Sequence, residues 1–155
     1  LHYPLRRQRQ MCIRDSSKRV KYAIKTLLFL NRTNNASLFS AKKISENERI
    51  PLKFLEQILR ELKQNKILKS ERGAEGGYTF MKDPADIKVL DVIRIVDGPV
   101  AMLPCASLNF YEKCADCTDE ATCGIRKLLI NVRDSMLPIL DTSIADMTKS
   151  EKFPI

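Results

Sequence analysis

Four cysteines fall within nineteen residues of one another, at the spacing C-x8-C-x2-C-x5-C. They are Cys105, Cys114, Cys117 and Cys123, and the segment that carries them is polar and has no helical period. Thiolates are the preferred ligands of iron-sulfur clusters and of zinc, so this pattern predicts a metal or cluster site. Three alternatives stay open: a structural zinc site, a thiol–disulfide switch without metal, and a loop that binds nothing.

Other kinds of chemistry lack the residues that they need. The lone histidine, His2, and the isolated Cys12 lie in the first sixteen residues, so neither a histidine ligand nor a catalytic histidine is expected. Cys114 and Cys117 form a C-x-x-C pair, but no βαβ pattern surrounds it, and no glycine-rich phosphate loop occurs. A metal-thiolate enzyme or redox protein is therefore the weaker hypothesis, and no enzymatic activity is predicted.

A second segment, residues 50–81, predicts a helix followed by a hairpin. Apolar side chains recur at steps of three and four and share one helical face, namely Leu52, Leu55, Ile58, Leu59 and Leu62. Pro51 suits the first helical position, because its missing N–H is not needed there. One face of this helix is predicted to pack, and the other is free to contact a ligand.

The hairpin is predicted around residues 72–77, where three glycines indicate a tight turn with Arg72 at its tip. Ahead of the long helix, Ser40 is placed to cap a short helix over residues 41–46. This order is typical of a winged helix-turn-helix, in which a helix enters the major groove and a hairpin contacts the backbone or the minor groove. The alternative is an ordinary helix and hairpin with no ligand.

Three features of the sequence occur together: the run FLEQILRELKQNKILKSERGAEGGYTFMKDPADIKVLDVIRIVDG, the motif YAIKTLLFL before it, and the spaced cysteines after it. In these residues, from about Ser17 to Met147, the chain resembles the Rrf-two family of bacterial winged-helix transcription regulators, the family of IscR and NsrR. The resemblance implies a homodimeric repressor or activator. Such a regulator often carries an iron-sulfur cluster that senses redox state, nitric oxide or cluster supply.

The resemblance also implies roles for single residues. The positions that match the DNA-contacting residues of the family are Pro51, Lys53, Phe54 and Gln57 in the helix, and Arg72, Gly76, Gly77 and Tyr78 in the wing. Gln57 can pair with adenine N6 and N7, whereas Lys53 suits guanine or phosphate. The expected partner is double-stranded DNA.

The same resemblance bears on the cysteines. The three cluster ligands of the family correspond to Cys105, Cys117 and Cys123. Cys114 is an extra thiol in a longer loop, and Arg126 stands where IscR has a histidine ligand. The fourth ligand is therefore left open between Cys114, a residue such as Asp91, and a residue of the partner subunit.

A long apolar stripe follows the cysteines, and its members are Ile125, Leu128, Leu129, Val132, Met136, Ile139 and Leu140. Pro138 lies inside this pattern and should kink or end the helix near Leu137. A stripe of this length predicts packing on a symmetric mate, which would present two recognition helices to a palindromic operator. Packing on Leu27 and Leu28 of the same chain is the alternative.

The 155 residues suit one domain with an extension for dimerisation, and the net charge of +8 favours a polyanionic partner. The predicted fold class is mainly α with a small β-hairpin wing. Its predicted parts are a disordered or non-native leader (1–16), a winged helix-turn-helix domain (17–98), a cysteine loop (99–124), a dimerisation helix (125–147) and a tail (148–155). No segment is long and apolar enough to cross a membrane, so a soluble cytoplasmic protein is expected.

Overall fold

The computed structural model describes residues 12–33, 37–73 and 75–149, and within these ranges six α-helices accompany a two-stranded hairpin. In chain order the elements are α1 (Cys12–Thr33), α2 (Ala41–Glu48), α3 (Leu52–Gln64), β1 (Leu68–Glu71), β2 (Gly77–Phe80), α4 (Val89–Val96), α5 (Gly124–Leu140) and α6 (Ile144–Lys149). Short 3-10 turns lie at Pro84–Asp86 and Pro104–Ala106. The predicted fold class is confirmed.

Helix α1 is the scaffold of the core. Its side chains Ala23, Leu27 and Leu30 are buried in one cluster with apolar residues of α2, α3, α4 and α6. The helix begins at Cys12, so residues 12–16 of the predicted leader are helical, and residues 1–11 lie outside the described part of the chain. Helix α1 is therefore longer than the sequence pattern indicates.

The turn between α2 and α3 is fixed by side chains at both ends of α2. Ser40 caps α2 as predicted, and its hydroxyl accepts a bond of 3.2 Å from the backbone N–H of Lys43. At the other end Arg49 adopts a left-handed conformation with φ of 54°, and Ser45 Oγ donates to the Ile50 carbonyl at 2.6 Å. The chain thereby reverses into α3 within three residues.

Helix α3 differs from its prediction in the first turn. Leu55, Ile58, Leu59 and Leu62 are fully buried, as the spacing predicts. The prediction is wrong for Leu52, which is exposed, and Pro51 occupies the N-cap position rather than the first helical position. The first turn of α3 therefore extends beyond the core and exposes apolar surface.

The hairpin pairs β1 with β2 in antiparallel register, with Leu68 opposite Phe80 and Glu71 opposite Gly77. A further bridge joins Tyr78 to Phe39, whose backbone N–H and carbonyl bond to Tyr78 at 3.1 and 2.9 Å. The hairpin is thus secured on one side by the segment that leads into α2. Such backbone bonds hold the wing against the helical core.

The C-terminal part divides into two helices rather than one. Helix α5 continues past Pro138 to Leu140, so the chain does not end the helix at Leu137. The segment predicted as a dimerisation helix, residues 125–147, therefore contains two helices, since residues 144–147 belong to the separate helix α6. Ser143 caps α6, since its hydroxyl accepts from the backbone N–H of Asp146 at 3.0 Å, and Ile144 is fully buried in the main core. Helix α6 therefore packs with the winged-helix part of the chain.

Backbone bonds explain why α6 returns to the core. The N–H of Val89 donates to the Thr142 carbonyl at 3.0 Å, and the N–H of Ile144 donates to the Ile87 carbonyl at 2.9 Å. Asn31 of α1 adds a side-chain bond of 2.7 Å to Thr148. The end of α5 is consequently tied to the start of α4. None of the helices in the described ranges is long and apolar enough to span a membrane.

Candidate nucleic-acid interface and cysteine pocket

The exposed side of α3 carries the residues predicted to contact DNA. Because the opposite face is closed inside the core, Lys53, Phe54 and Gln57 all lie at the surface. Phe54 keeps 44% of its surface exposed, which is unusual for an aromatic side chain without a partner. With Pro51, Leu52 and Glu56 also exposed, the first two turns of α3 present one cation, one anion, one amide and three apolar groups to solvent.

An ion pair lies directly behind Gln57. Arg19 of α1 donates through Nη2 to both carboxylate oxygens of Glu61, at 2.6 and 2.7 Å. The amide of Gln57 donates through Nε2 to Glu61 Oε1 at 3.5 Å. Sequence reasoning missed this arrangement, because Arg19 and Glu61 lie 42 residues apart and each is one charged residue on the polar side of its own helix.

The wing places Arg72 at the surface, as predicted. The turn is tight: Gly73 has φ of 130°, its carbonyl accepts from the N–H of Gly76 at 3.0 Å, and a side chain at Gly76 would collide with the carbonyl of Glu71. Lys63 of α3 donates to Ser70 of β1 at 2.6 Å. Helix and wing are therefore joined by a direct contact as well as by the core.

Two wing residues have a different environment from the rest. Gly77 is buried, and a Cβ there would lie 2.5 Å from the backbone carbonyl carbon of Phe39. Tyr78 is half-buried and packs on the core. The glycine at position 77 is thus explained by close backbone packing, whereas Arg72 offers a charge to solvent.

The four cysteines of the loop line one pocket of about 540 Å³. Cys105 is buried in the 3-10 turn Pro104–Ala106, which we call the Cys105 turn, and the other three are half-buried. Within this pocket Cys114 lies beside Cys105, and Cys117 lies beside Cys123. Cys123 also caps α5, since its sulfur accepts from the backbone N–H of Arg126 at 3.4 Å.

The thiol pairing alters the acidity of two cysteines. The hydrogen bond to Cys105, with desolvation and nearby negative charge, raises the pKa of Cys114 to about 11. Desolvation, followed by the charge of Cys123 and its hydrogen bond, raises the pKa of Cys117. Both thiols are therefore held in the protonated form at neutral pH. A bound cation would reverse this preference, because a coordinating thiol loses its proton.

Four thiols around one pocket are a donor set that suits either an iron-sulfur cluster or a zinc ion. Among the residues that the structure describes, no three Cys, His, Asp or Glu side chains converge on one point where a metal ion could bind. An iron-sulfur cluster contains several metal atoms, so its ligands need not share one point, and four thiols around one pocket are the usual donors for it.

The candidates for a fourth ligand are in different places. Cys114 lines the pocket with the three matched cysteines. Asp91 does not line this pocket: it lies on α4 at a separate pocket and faces Arg94 at 3.7 Å. Asp116 and Asp119 also line the cysteine pocket, and hydrogen bonds from Thr122 and the backbone lower the pKa of Asp119.

Two arginines fasten the Cys105 turn to α5. Arg126 donates through Nε to the carbonyl of Cys105 at 3.0 Å. One residue further along, the carbonyl of Ala106 accepts from Nη1 of Arg133 at 2.5 Å. Arg133 is only 9% exposed, and Asp134 balances its charge at 2.7 Å. Because the two arginines are seven residues apart, they lie about two turns apart on one side of the helix.

Apolar side chains are exposed around the cysteine pocket and along α5. On α5 the exposed members of the predicted stripe are Ile125, Leu128 and Ile139. On the cysteine loop the exposed large side chains are Met102, Leu103, Leu108, Phe110 and Tyr111. Within the described chain, no helix covers this surface. An apolar surface of this kind is typical of a protein–protein interface.

A helix whose apolar face is buried and whose polar face is open, joined to a glycine-rich hairpin with an exposed arginine, defines the winged-helix class of DNA-binding transcription regulators. A model of the Rrf2 family, described as iron-dependent transcriptional regulators, matches residues 16–150. The chain therefore belongs to the Rrf2 family, here also called the Rrf-two family.

Relatives and solved structures agree with this assignment. An Rrf2-like HTH-type transcriptional regulator of Rhodobacter capsulatus is 38% identical over 135 residues, which is 84% of this chain and 90% of that protein. The structure of CymR, the global cysteine regulator of B. subtilis, superposes with a TM-score of 0.68 at 27% identity, over 84% of this chain and 93% of that one. The structure of IscR from T. potens superposes with a TM-score of 0.68 at 26% identity, over 86% of this chain and 85% of that one. The protein is a transcriptional regulator and not an enzyme.

Proposed function

We propose that the chain forms a homodimer, binds palindromic duplex DNA through α3 and the wing, and senses redox state, nitric oxide or iron-sulfur status at the cysteine pocket. The observation that carries the DNA part is the orientation of α3. Its closed apolar face leaves Lys53, Phe54 and Gln57 on one open surface, with Arg72 exposed on the wing. Such a regulator acts in the cytoplasm, where bacterial DNA lies.

The roles on this surface follow from side-chain chemistry. Gln57 can donate to and accept from one adenine, and Lys53 can bind guanine or phosphate. Arg72 at the tip of the wing suits a phosphate or the minor groove. Pro51 and Phe54 supply apolar contact, and Gly76 allows the tight turn that presents the arginine. Phosphate contacts would set the affinity, and Gln57 would contribute the sequence preference.

The dimer is supported by the open stripe of α5. Leu128 is 61% exposed and Ile125 and Ile139 are exposed to a similar extent, on a helix of 17 residues. A two-fold pair of such helices would bury these side chains on each other. Two recognition helices about 34–36 Å apart could then enter successive major grooves.

The sensing part is supported by the thiols and by the iron-dependent description of the family. Cys105, Cys117 and Cys123, with Cys114 as fourth ligand, would hold an iron-sulfur cluster. When bound, such a cluster supplies iron that changes oxidation state and reacts with nitric oxide. The alternatives are a structural zinc site and a metal-free thiol switch, for which the four thiols of the pocket would also supply the reacting groups.

A route from the pocket to DNA is offered by Arg126 and Arg133. They join the Cys105 turn to α5, and backbone bonds join the end of α5 to the start of α4. A change at the thiols would therefore reorient the dimer helix relative to the winged domain. A coupling of this kind is typically worth about 1–3 kcal/mol, or about five- to 150-fold in affinity.

The test of DNA binding begins with selection of a preferred site from a randomised duplex library, using protein purified without oxygen. Affinity for that site is then measured by fluorescence anisotropy at several salt concentrations. Arg72→Ala should weaken binding to every duplex and lower the salt slope by about one, because one phosphate contact is lost. The exposed Lys127 of α5 provides the control, since Lys127→Ala removes one charge outside α3 and the wing.

The outcomes separate the alternatives. Failure of the parent protein to bind any duplex with salt-dependent affinity would refute the proposal. An equal response of Arg72→Ala and Lys127→Ala would instead mean that the wing is an ordinary hairpin and only net charge matters.

A further inference from the structure

We propose that Arg19 is a positioning residue for base recognition: by holding Glu61, it fixes the amide of Gln57 in the orientation that accepts adenine and disfavours guanine. This inference rests on the proposed function, because it assumes that Gln57 faces a base. It gives a role in base recognition to two further residues, Arg19 of α1 and Glu61 in the third turn of α3. Neither residue needs to touch DNA.

The first step is the ion pair between α1 and α3. Nη2 of Arg19 lies 2.6 Å from one carboxylate oxygen of Glu61 and 2.7 Å from the other. The two side chains are 23% and 24% exposed, so solvent screens the pair less than it screens a fully exposed one. The guanidinium contacts both carboxylate oxygens, so it holds the Glu61 carboxylate in one place.

The second step is the orientation of the amide. Nε2 of Gln57 donates to Glu61 Oε1 at 3.5 Å. An ionised carboxylate can only accept hydrogen bonds, so the amide nitrogen faces it, and the reversed amide would bring two oxygens together. This removes the usual ambiguity between the oxygen and the nitrogen of a glutamine. The bond is long, so its effect is to exclude the reversed amide rather than to add strength.

The third step is the match to a base. With one Nε2 hydrogen directed at Glu61, the amide keeps one acceptor, Oε1, and one donor hydrogen for DNA. Adenine presents the complementary pair in the major groove, the N7 acceptor and the N6 donor. Guanine presents two acceptors, N7 and O6, and would need both amide hydrogens. A free glutamine could turn to supply both, whereas the one held by Glu61 cannot.

The same ion pair also ties α1 to α3, and a purely structural role must be distinguished from positioning. Loss of a structural tie would lower stability and affinity for all duplexes together. Loss of positioning would change the ratio of affinities for two duplexes that differ at one base pair. The ratio is therefore the readout.

The experiment uses the site selected by the parent protein and the base pair at which Gln57→Ala loses discrimination. Affinities are measured for this duplex and for the duplex with A·T replaced by G·C. Glu61→Gln keeps the size of the side chain but lets the group donate or accept, so both amide orientations become allowed. Arg19→Met removes the charge that holds Glu61. Each variant should lower the adenine-to-guanine ratio about two- to tenfold, the worth of one hydrogen bond.

Two further variants sharpen the test. Arg19→Lys keeps the charge but not the planar donor group, and should restore part of the ratio. The control is Lys25 on the same helix, which pairs with Glu48 of α2 at 3.2 Å and also donates to its carbonyl. Lys25→Met should lower stability and leave the ratio unchanged.

Each result decides between the hypotheses. If Glu61→Gln and Arg19→Met fold, as judged by circular dichroism, and keep the parental ratio while Gln57→Ala loses it, the positioning role is wrong and the proposed function stands. If Gln57→Ala changes no ratio at any base pair, base recognition by Gln57 and the role of Arg19 are refuted together. A parent protein that binds no duplex refutes the proposed function itself.

Discussion

The winged-helix part and the cysteine part of this protein differ in how far they bury their apolar side chains. In the first, the apolar faces of α1, α3, α4 and α6 close on one another, and Leu55, Ile58 and Leu59 are fully buried. In the second, residues 99–140, most of the exposed large hydrophobic side chains of the described chain occur. One part completes its core within the chain, whereas the other leaves apolar side chains exposed.

The difference explains why the two parts contribute differently to function. A closed core fixes the position of α3, and a DNA-contacting surface needs such rigidity. The cysteine loop has little regular structure, and its contacts with the rest of the chain include single hydrogen bonds from arginines to backbone carbonyls. A segment with few buried contacts can respond to a change at its thiols at low energetic cost.

The largest expected effect concerns the closed core. Leu59→Ala should lower the free energy of unfolding by about 2–5 kcal/mol, because the side chain is fully buried and the surrounding helices cannot collapse into the cavity. This free energy is measured by urea denaturation, with circular dichroism as the signal. Leu52→Ala on the same helix is the control, and should cost much less since Leu52 is exposed. Equal losses would show that α3 is not fixed by its buried face.

The next effect concerns the open stripe. Leu128→Glu should weaken dimerisation by about 2–4 kcal/mol, because it places a charge in the centre of an apolar interface. The unfolding of the winged-helix part should change little. Sedimentation equilibrium gives the dimer constant, and Lys127→Glu, one residue away on the same helix, separates the effect of position from that of charge. A dimer that tolerates Leu128→Glu would require another interface.

Changes at the cysteine pocket should act on DNA binding at a distance. Cys105→Ala, Cys117→Ala and Cys123→Ala should each abolish the visible absorption of anaerobically purified protein and change operator affinity by about 1–3 kcal/mol. Metal analysis of the parent protein shows whether it contains iron, zinc or no metal. Cys114→Ala tests the fourth ligand: loss of absorption means that all four thiols bind. Operator affinities equal to that of the parent in all four variants would make the loop structural.

The smallest effects compare two glycines, one in each part. Gly77→Ala should destabilise the protein by about 1–3 kcal/mol, since its Cβ would meet the Phe39 backbone. Gly124→Ala should instead stabilise it by about 0.4–1 kcal/mol, because no atom lies within 4 Å of the new Cβ and the unfolded chain loses freedom. Thermal unfolding measures both. A loss at Gly124 as large as that at Gly77 would mean that the loop is as tightly packed as the wing.

The elements that were predicted correctly from the sequence are those determined by residues close to one another along the chain. The buried face of α3, the cap at Ser40 and the hairpin follow from local spacing and turn chemistry. Leu52 was misplaced because a helical period gives the direction of a side chain but not how far the core extends along the helix. The start of α1 was missed because residues 12–16 have no apolar period.

Contacts between residues that are distant in the sequence could not be predicted from local sequence patterns. Helix α6 was joined to α5 in the prediction because the backbone pairing of residues 87–89 with residues 142–144 leaves no mark on side-chain spacing. Arg133 is a charged residue on a helix, which usually indicates an exposed face, yet it is buried on the carbonyl of Ala106. The four cysteines line one pocket, but which of them lie beside one another depends on the path of the loop, and their spacing in the sequence does not give that path.

Helix α5 is held at both ends, so a movement at one end tilts the helix as a rigid body about the other. Its 17 residues span about 25 Å, with the Cys105 turn fastened near one end and residues 142–144 paired to the winged domain at the other. A displacement of about 4 Å at the cysteine end, with the far end fixed, corresponds to a tilt of about 10° over this length. In a two-fold dimer joined through α5 each protomer tilts in the opposite sense, so the angle between the two recognition helices changes by about 20°.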